Sequence, residues 1–238
     1  LPVFRYRKQI RKLQQRGDYN TMKKCILVCA GDFTPMDLRK EEGDCIIAVD
    51  NGLTYLTQMG VLPDYCLGDY DSLLPEGRRV LEEIREEDPS RIVVLPVAKD
   101  DTDTMAAVRF GLELGYLRFD LYGALGGARI AHTIANLQVL NFIKNKGGQG
   151  YLMDTNQMLF LIRNETKEFH EGFAGRFSLF AVDPVVKGVT ERGMKYEIED
   201  ATLTNDFPIG CSNEIEEGRK ASVTVREGTA LAVVGWDS

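Results

Sequence analysis

CIIAVDNG, residues 45–52, is a short β-branched run that stops on Asp-Asn-Gly, and the pattern recurs in DYCLGDYDS at 64–72 and RIVVLPVAKDDTDT at 91–104. Each reads as a buried strand that ends in an acidic turn. CILVCA at 25–30 and RFDLYG at 118–123 extend the series, and helical patterns fall between at about 36–42, 53–59, 75–88, 102–114 and 129–146. In 75–88, Val80, Leu81 and Ile84 share one face while Arg and Glu fill the other, the 3.6-residue period of a helix lying on a core. Strands alternating with helices predict an α/β unit, an open mostly parallel sheet with flanking helices.

After the glycine-rich KNKGGQG at 144–150 the pattern changes to short strands, MLFLI, RFSLFAV, KYEIEDATL, ASVTVRE and TALAVVG, separated by turn residues. That spacing predicts a C-terminal all-β sandwich. The expected organisation is a basic N-terminal extension at 1–20, an α/β domain at 21–148 and the sandwich at 149–238. The extension carries Arg5, Arg7, Lys8, Arg11, Lys12 and Arg16 before any acid, and reads as an exposed appended helix or loose arm.

The whole chain has 238 residues, enough for one large domain or two small ones, and 44% hydrophobic with 27% charged residues supports a globular core. A net charge of −7 argues against general nucleic-acid binding. No run approaches the roughly 18 apolar residues of a membrane span, and the opening LPVFRYRKQIRK lacks the apolar stretch of a signal peptide. The expectation is a soluble cytoplasmic protein without a membrane partner. Cys25, Cys29, Cys45 and Cys66 sit in apolar runs, Cys211 stands apart, and no C-x-x-C pair suggests zinc. All five read as reduced thiols, most of them buried.

In open α/β sheets ligands bind beyond the carboxyl ends of the strands. Here those ends carry Asp50-Asn51-Gly52, Gly68-Asp69-Tyr70-Asp71-Ser72 and Lys99-Asp100-Asp101-Thr102-Asp103. One such turn is unremarkable, since Asp71-Ser72 and Asp100 also suit helix N-caps. Three acidic ends on one rim repel one another, and a hard divalent cation, such as magnesium carried by a nucleotide, relieves the repulsion. The last strand of this half leads into Gly123-Ala124-Leu125-Gly126-Gly127-Ala128-Arg129 and a helix with His132 and Asn136. Gly126 and Gly127 let backbone amides approach an anion, and Arg129 has the fork geometry that clamps phosphate.

Taken together, AVDNG, GDYDS, KDDTDT, GALGGARIAHTIAN and GCSNE, spanning Asp50 to Glu214, resemble the thiamin pyrophosphokinase family in order and spacing. The resemblance implies transfer of a diphosphoryl group from ATP to the hydroxyl of thiamine, releasing AMP, in a magnesium-dependent homodimer that binds thiamine between subunits. Carried over by position, Asp69, Asp71 and Asp103 hold magnesium, and Asp71, Asp100 and Asp103 form the catalytic centre. Asp50, Asn51, Lys99 and Thr102 support it, Gly126, Gly127, Arg129 and His132 meet the phosphates, and Ser212 and Asn213 lie near thiamine.

Two departures stand out. GGARIAHT is one residue longer than the family's pattern, with Ala131 in the place of an aspartate, and the family's D-G-G turn reads Asp50-Asn51-Gly52. A one-residue bulge before the helix keeps His132 and Asn136 on one face, whereas a rotated first turn discards both; the intact HTIAN run argues for the bulge, with Ala128 absorbed in the loop and Arg129 still near phosphate. Asp100 and Asp103 are both candidates for taking the alcohol proton, and the base stays unassigned. A pyrophosphokinase for another hydroxymethyl heterocycle such as a pterin, or a non-catalytic thiamine or nucleotide binder, remains open at this point. His170 reads as a surface residue, Trp236 as edge packing, and Glu216 and Glu217 as solvated charge.

Overall fold

The computed structural model describes residues 22–96 and 101–236, which divide into two compact units, 22–154 and 155–236. The first is built on a parallel sheet of β1 (Lys24–Val28), β2 (Cys45–Val49), β3 (Tyr65–Gly68), β4 (Ile92–Val94), β5 (Arg118–Tyr122) and β6 (Gln149–Met153). These lie in the order β6-β5-β1-β2-β3-β4, every adjacent pair parallel. β1 and β2 are buried along their whole length, as strands covered on both faces must be, and so they read as unbroken apolar runs. At the amino-terminal ends of β1 and β5, Arg118 and Lys24 both reach the buried Asp120 carboxylate, at 3.3 and 3.9 Å.

Helices α1 (Gly52–Gln58), α2 (Pro75–Glu87), α3 (Asp103–Glu113) and α4 (Ile130–Asn145) make the connections. α2 starts with Pro75 at its first turn and buries Val80, Leu81 and Ile84, with Arg79–Glu83 and Arg85–Glu82 ion pairs on its outer face. The chain steps outward from β1 to β4, then returns through α3 to place β5 on the other side of β1. Right-handed crossovers in opposite directions put α1 and α2 on one face of the sheet and α3 and α4 on the other, and the helices touch in those pairs. The reversal makes the space beyond β1 and β5 the topological switch point, where open α/β sheets bind ligands.

The helix expected at 36–42 is absent. Met36 and Leu38 are buried while Asp37 between them is half-buried, a period of two, and Arg39 takes a left-handed φ of 50° after donating its N–H to Asp37. The glycine-rich segment at 144–150 ends α4 and turns the chain into β6: Gly147 has φ 78°, and the Gly147 and Gly148 amides donate to Lys144 O and Ile143 O. β6 then pairs in parallel with β5, so the division between units falls one strand later than that segment, between Asp154 and Thr155.

The second unit contains β7 (Gln157–Phe169), β8 (Gly175–Ala181), β9 (Val185–Arg192), β10 (Ile198–Thr204), β11 (Asn213–Ile215) and β12 (Ala221–Gly235), antiparallel throughout. β7 and β12 run side by side along nearly their whole lengths. The runs ASVTVRE and TALAVVG are the two halves of β12, joined by an irregularity between Val225 and Thr229 where Gly228 has φ 103°. Before that bulge β12 pairs with β9, and after it with β8, so one long strand changes its second partner along its length. Phe169, Phe173 and Phe177 pack together in the core, and buried Trp236 donates its indole N–H to Thr155 O at 3.0 Å. Of the cysteines, Cys211 alone is exposed, and all five are free thiols.

Candidate functional site

The acidic strand ends come together in part. Asp50, just after β2, and Tyr70, just after β3, both adopt left-handed backbone, with φ of 48° and 63°. Such conformations cost a non-glycine residue free energy and cluster at functional sites. The left-handed turn brings the Asp50 carboxylate over the end of β3, where Oδ1 accepts the Asp69 N–H at 3.2 Å. From the other side comes Asp103, the first residue of α3, which hydrogen-bonds to the Asp50 carboxyl. Burial, the charge of Asp103 with its hydrogen bond, and the charge of Asp69 push the Asp50 carboxyl up to about 7, against a smaller opposing contribution from the backbone at Tyr70. Two carboxyl groups this close retain a proton that a cation would replace.

Other members of the rim are positioned by local capping. Thr102 caps α3, its Oγ1 accepting the Met105 N–H at 3.2 Å, and Asp69 Oδ1 accepts the Asp71 N–H at 3.2 Å, leaving Asp71 exposed. The Tyr70 hydroxyl reaches into the sheet to donate to Val93 O at 3.2 Å. Lys99 and Asp100 lie outside the described residues. The donor set suits a hard divalent cation: burial and then the charges of Asp103 and Asp69 raise Asp50, and the neighbouring Asn51 Oδ1 is buried with no hydrogen-bond partner. The coordination shell is not preassembled, because among the described residues no three carboxylates, histidines or thiols are gathered closely enough to hold an ion. The expected trio of Asp69, Asp71 and Asp103 is therefore brought to one rim without forming a closed cage.

The glycine loop lies at the switch point. Gly126 and Gly127 have φ of 70° and 86°, Arg129 forms the N-cap position of α4, and Arg129 and His132 are exposed. The loop is tied down by its own helix: buried Asn136 donates from Nδ2 to Ala124 O at 2.7 Å, and Thr133 Oγ1 donates to Gly126 O at 3.3 Å. A residue that sequence reasoning passed over, Asp32 in the turn after β1, accepts the Gly127 N–H at 2.7 Å. Nothing in GDF at 31–33 signals that contact; only the sheet order reveals it.

In the β-rich unit, Ser212 and Asn213 divide in role. Ser212 is exposed with φ 67°, and its N–H donates to Ser178 Oγ at 3.0 Å. Asn213 is buried and fully engaged, donating to Glu191 Oε2 at 2.6 Å and Tyr196 O at 2.8 Å and accepting the amides of Tyr196 and Glu214. Its amide thus holds the loop, and its partner Glu191, raised by burial, is another group the sequence did not flag. Glu191 and Asn213 line a pocket of about 230 Å³ with Tyr196, Ile198, Ile209 and Cys211. His170 is exposed, its Nδ1 accepting the Gly172 N–H.

Two family models match this chain. "Thiamin pyrophosphokinase, catalytic domain" covers residues 37–150, and "Thiamin pyrophosphokinase, vitamin B1 binding domain" covers 166–230. Thiamine pyrophosphokinase of Bacillus subtilis strain 168 is 25% identical over 174 residues, 73% of this chain and 79% of that protein. The crystal structure of the Bacillus subtilis enzyme superposes with a TM-score of 0.80 at 24% identity, covering 91% of this chain and all of that one. That of thiamin pyrophosphokinase from Geobacillus thermodenitrificans gives 0.76 at 25% identity, covering 90% and 98%.

Proposed function

The chain belongs to the thiamin pyrophosphokinase family, and from that premise we propose that it transfers the diphosphoryl group of ATP to the hydroxyl of thiamine. The hydroxyl oxygen forms a bond to the β-phosphorus, the bond from that phosphorus to the oxygen bridging the α-phosphate breaks, and AMP leaves. The observation that carries the reading is the meeting of Asp50 and Asp69 with Asp103 on one rim, where burial and then the charges of Asp103 and Asp69 push the Asp50 carboxyl up to about 7. Asp50, Asp69, Asp71 and Asp103 would hold magnesium, which when bound supplies charge neutralisation at the phosphate oxygens. Arg129 and the amides of Gly126 and Gly127 offer cationic and neutral donors to the same oxygens, with Thr102 fixing the start of α3.

Exposed Ser212 is assigned to the thiamine side, and Asn213 keeps its loop in place. The working form assigned here is a cytoplasmic homodimer. Asp71→Asn is the direct test, since Asp71 is exposed and a neutral amide ligates magnesium poorly. With magnesium, ATP and thiamine the variant should melt like the wild type and release no AMP; wild-type turnover would overturn the metal assignment. Replacing thiamine by a hydroxymethylpterin should abolish AMP release by the wild type, and AMP formation with the pterin instead would move the assignment to the other heterocycle.

A further inference from the structure

Asp32 stands at the switch point of the sheet with its carboxylate in the glycine loop. Both sides of the contact are fixed. The Gly31 N–H donates to Gly123 O at 2.9 Å, Tyr55 OH donates to Gly31 O at 3.1 Å, and Phe33 stacks on Tyr55 with ring centroids 5.2 Å apart. On the other side Gly126 and Gly127 present their amides from left-handed backbone, and Asp32 Oδ2 accepts the Gly127 N–H at 2.7 Å. Backbone amides in such a turn are the donors that phosphate oxygens take. An anionic side chain already occupies one of them.

We propose that Asp32 is a specificity-determining residue, a built-in anion that fills the Gly127 amide until a phosphate oxygen displaces it. The inference rests on the assignment of the Gly126–Gly127 loop to phosphate. An incoming anion must break the charge-assisted hydrogen bond of Asp32 and face its negative charge. A single inorganic phosphate has few compensating contacts, whereas a polyphosphate also gains Arg129 and the magnesium rim. The contact therefore biases the loop against small anions and toward the nucleotide.

The test measures binding of inorganic tripolyphosphate and of inorganic phosphate by calorimetry to the wild type, Asp32→Ala, Asp32→Asn and Arg129→Ala, together with KM and kcat for ATP. Asp32→Ala should bind tripolyphosphate roughly tenfold more tightly, with a larger gain for phosphate, and lower KM for ATP while kcat does not rise. Asp32→Asn keeps an acceptor oxygen without the charge and should fall between; it decides the matter alone if the alanine variant fails to fold. If Arg129→Ala weakens tripolyphosphate binding but neither Asp32 variant tightens it, Asp32 merely braces the loop and the proposal is overturned. Should none of the three variants change tripolyphosphate binding, the loop is not a phosphate site, and the proposal falls with that assignment.

Discussion

The Asp50 carboxylate occupies the space where a side chain on residue 68 would begin, so a Cβ at Gly68 would collide with Asp50 Oδ1. Gly68 ends β3 and Asp50 follows β2, and the two strands are parallel neighbours. Gly68→Ala must push Asp50 off the Asp69 amide and away from Asp103. The expected cost is about 1–3 kcal/mol of stability, with AMP formation falling at least a hundredfold as the carboxylates lose their arrangement. Thermal melts and the AMP assay check it; wild-type activity in Gly68→Ala would show that the Asp50 position is immaterial.

Without metal, stability should carry a pH signature of Asp50. Its folded-state pKa, about 7, lies above the ordinary 3.8, so the folded state binds the proton more tightly than the unfolded state does. The contribution is fully present below about 4 and lost as pH rises through about 7. Melting temperatures measured in chelator from pH 4.5 to 8 should therefore fall more steeply for the wild type than for Asp50→Asn. Magnesium should restore the wild type most at the alkaline end, where it meets an ionised pair. Parallel curves for the two proteins would remove Asp50 as the titrating group.

Much of this architecture is legible in the sequence because fully covered parallel strands leave a blunt signal. The apolar runs at 25–30, 45–50 and 118–123 match β1, β2 and β5 to within two residues, and α2 declares its face through Val80, Leu81 and Ile84. What escaped detection depends on tertiary pairing. β9 carries Gly188 in left-handed backbone and alternates buried with exposed residues, so VVKGVTER holds no apolar run to notice. β12 looks like two strands since its bulge imitates a turn. Met36 and Leu38, two residues apart, would fall on opposite sides of a helix, so their joint burial on one side goes with the non-helical segment found there, and the helix expectation gave that spacing too little weight. At the site, acidic turns are visible as motifs, but Asp32 meets Gly127 through a strand order that no local pattern encodes.

Asn213→Ala should destabilise more than Ser212→Ala. The Asn213 amide is the hydrogen-bond donor to buried Glu191, and removing it leaves a carboxyl group in an apolar pocket and frees two backbone amides. A loss of about 2–4 kcal/mol is expected, against less than about 1 kcal/mol for exposed Ser212, whose bond to Ser178 comes from its backbone. Chemical denaturation of both variants checks the ranking. Equal stabilities would mean that the Glu191 carboxyl is satisfied some other way. Asn213→Asp should be worse still, since it sets a second carboxylate against Glu191.

Ala131 stands where the sequence departs from the family pattern. Thr133 and Asn136, three residues apart, both direct their side chains at the glycine loop, through Gly126 O and Ala124 O. At about 100° per residue, His132 lies four positions before Asn136 and shares its side of α4, whereas Ala131 is displaced from Asn136 by roughly 140°; Arg129 is the non-helical N-cap residue that joins the loop to α4. Thr133 and Asn136 facing the loop is the arrangement expected if the extra residue is taken up in a bulge before the helix. A carboxylate introduced by Ala131→Asp points away from the loop face and cannot join the rim without unwinding the first turn of α4. Turnover should change by less than about twofold, and the half-saturating magnesium concentration should not fall. Arg129→Ala, on the loop side, should raise KM for ATP by the factor of roughly ten to a hundred that losing charged hydrogen bonds entails. A gain of tenfold or more in turnover for Ala131→Asp would place that residue at the metal after all and refute the bulge.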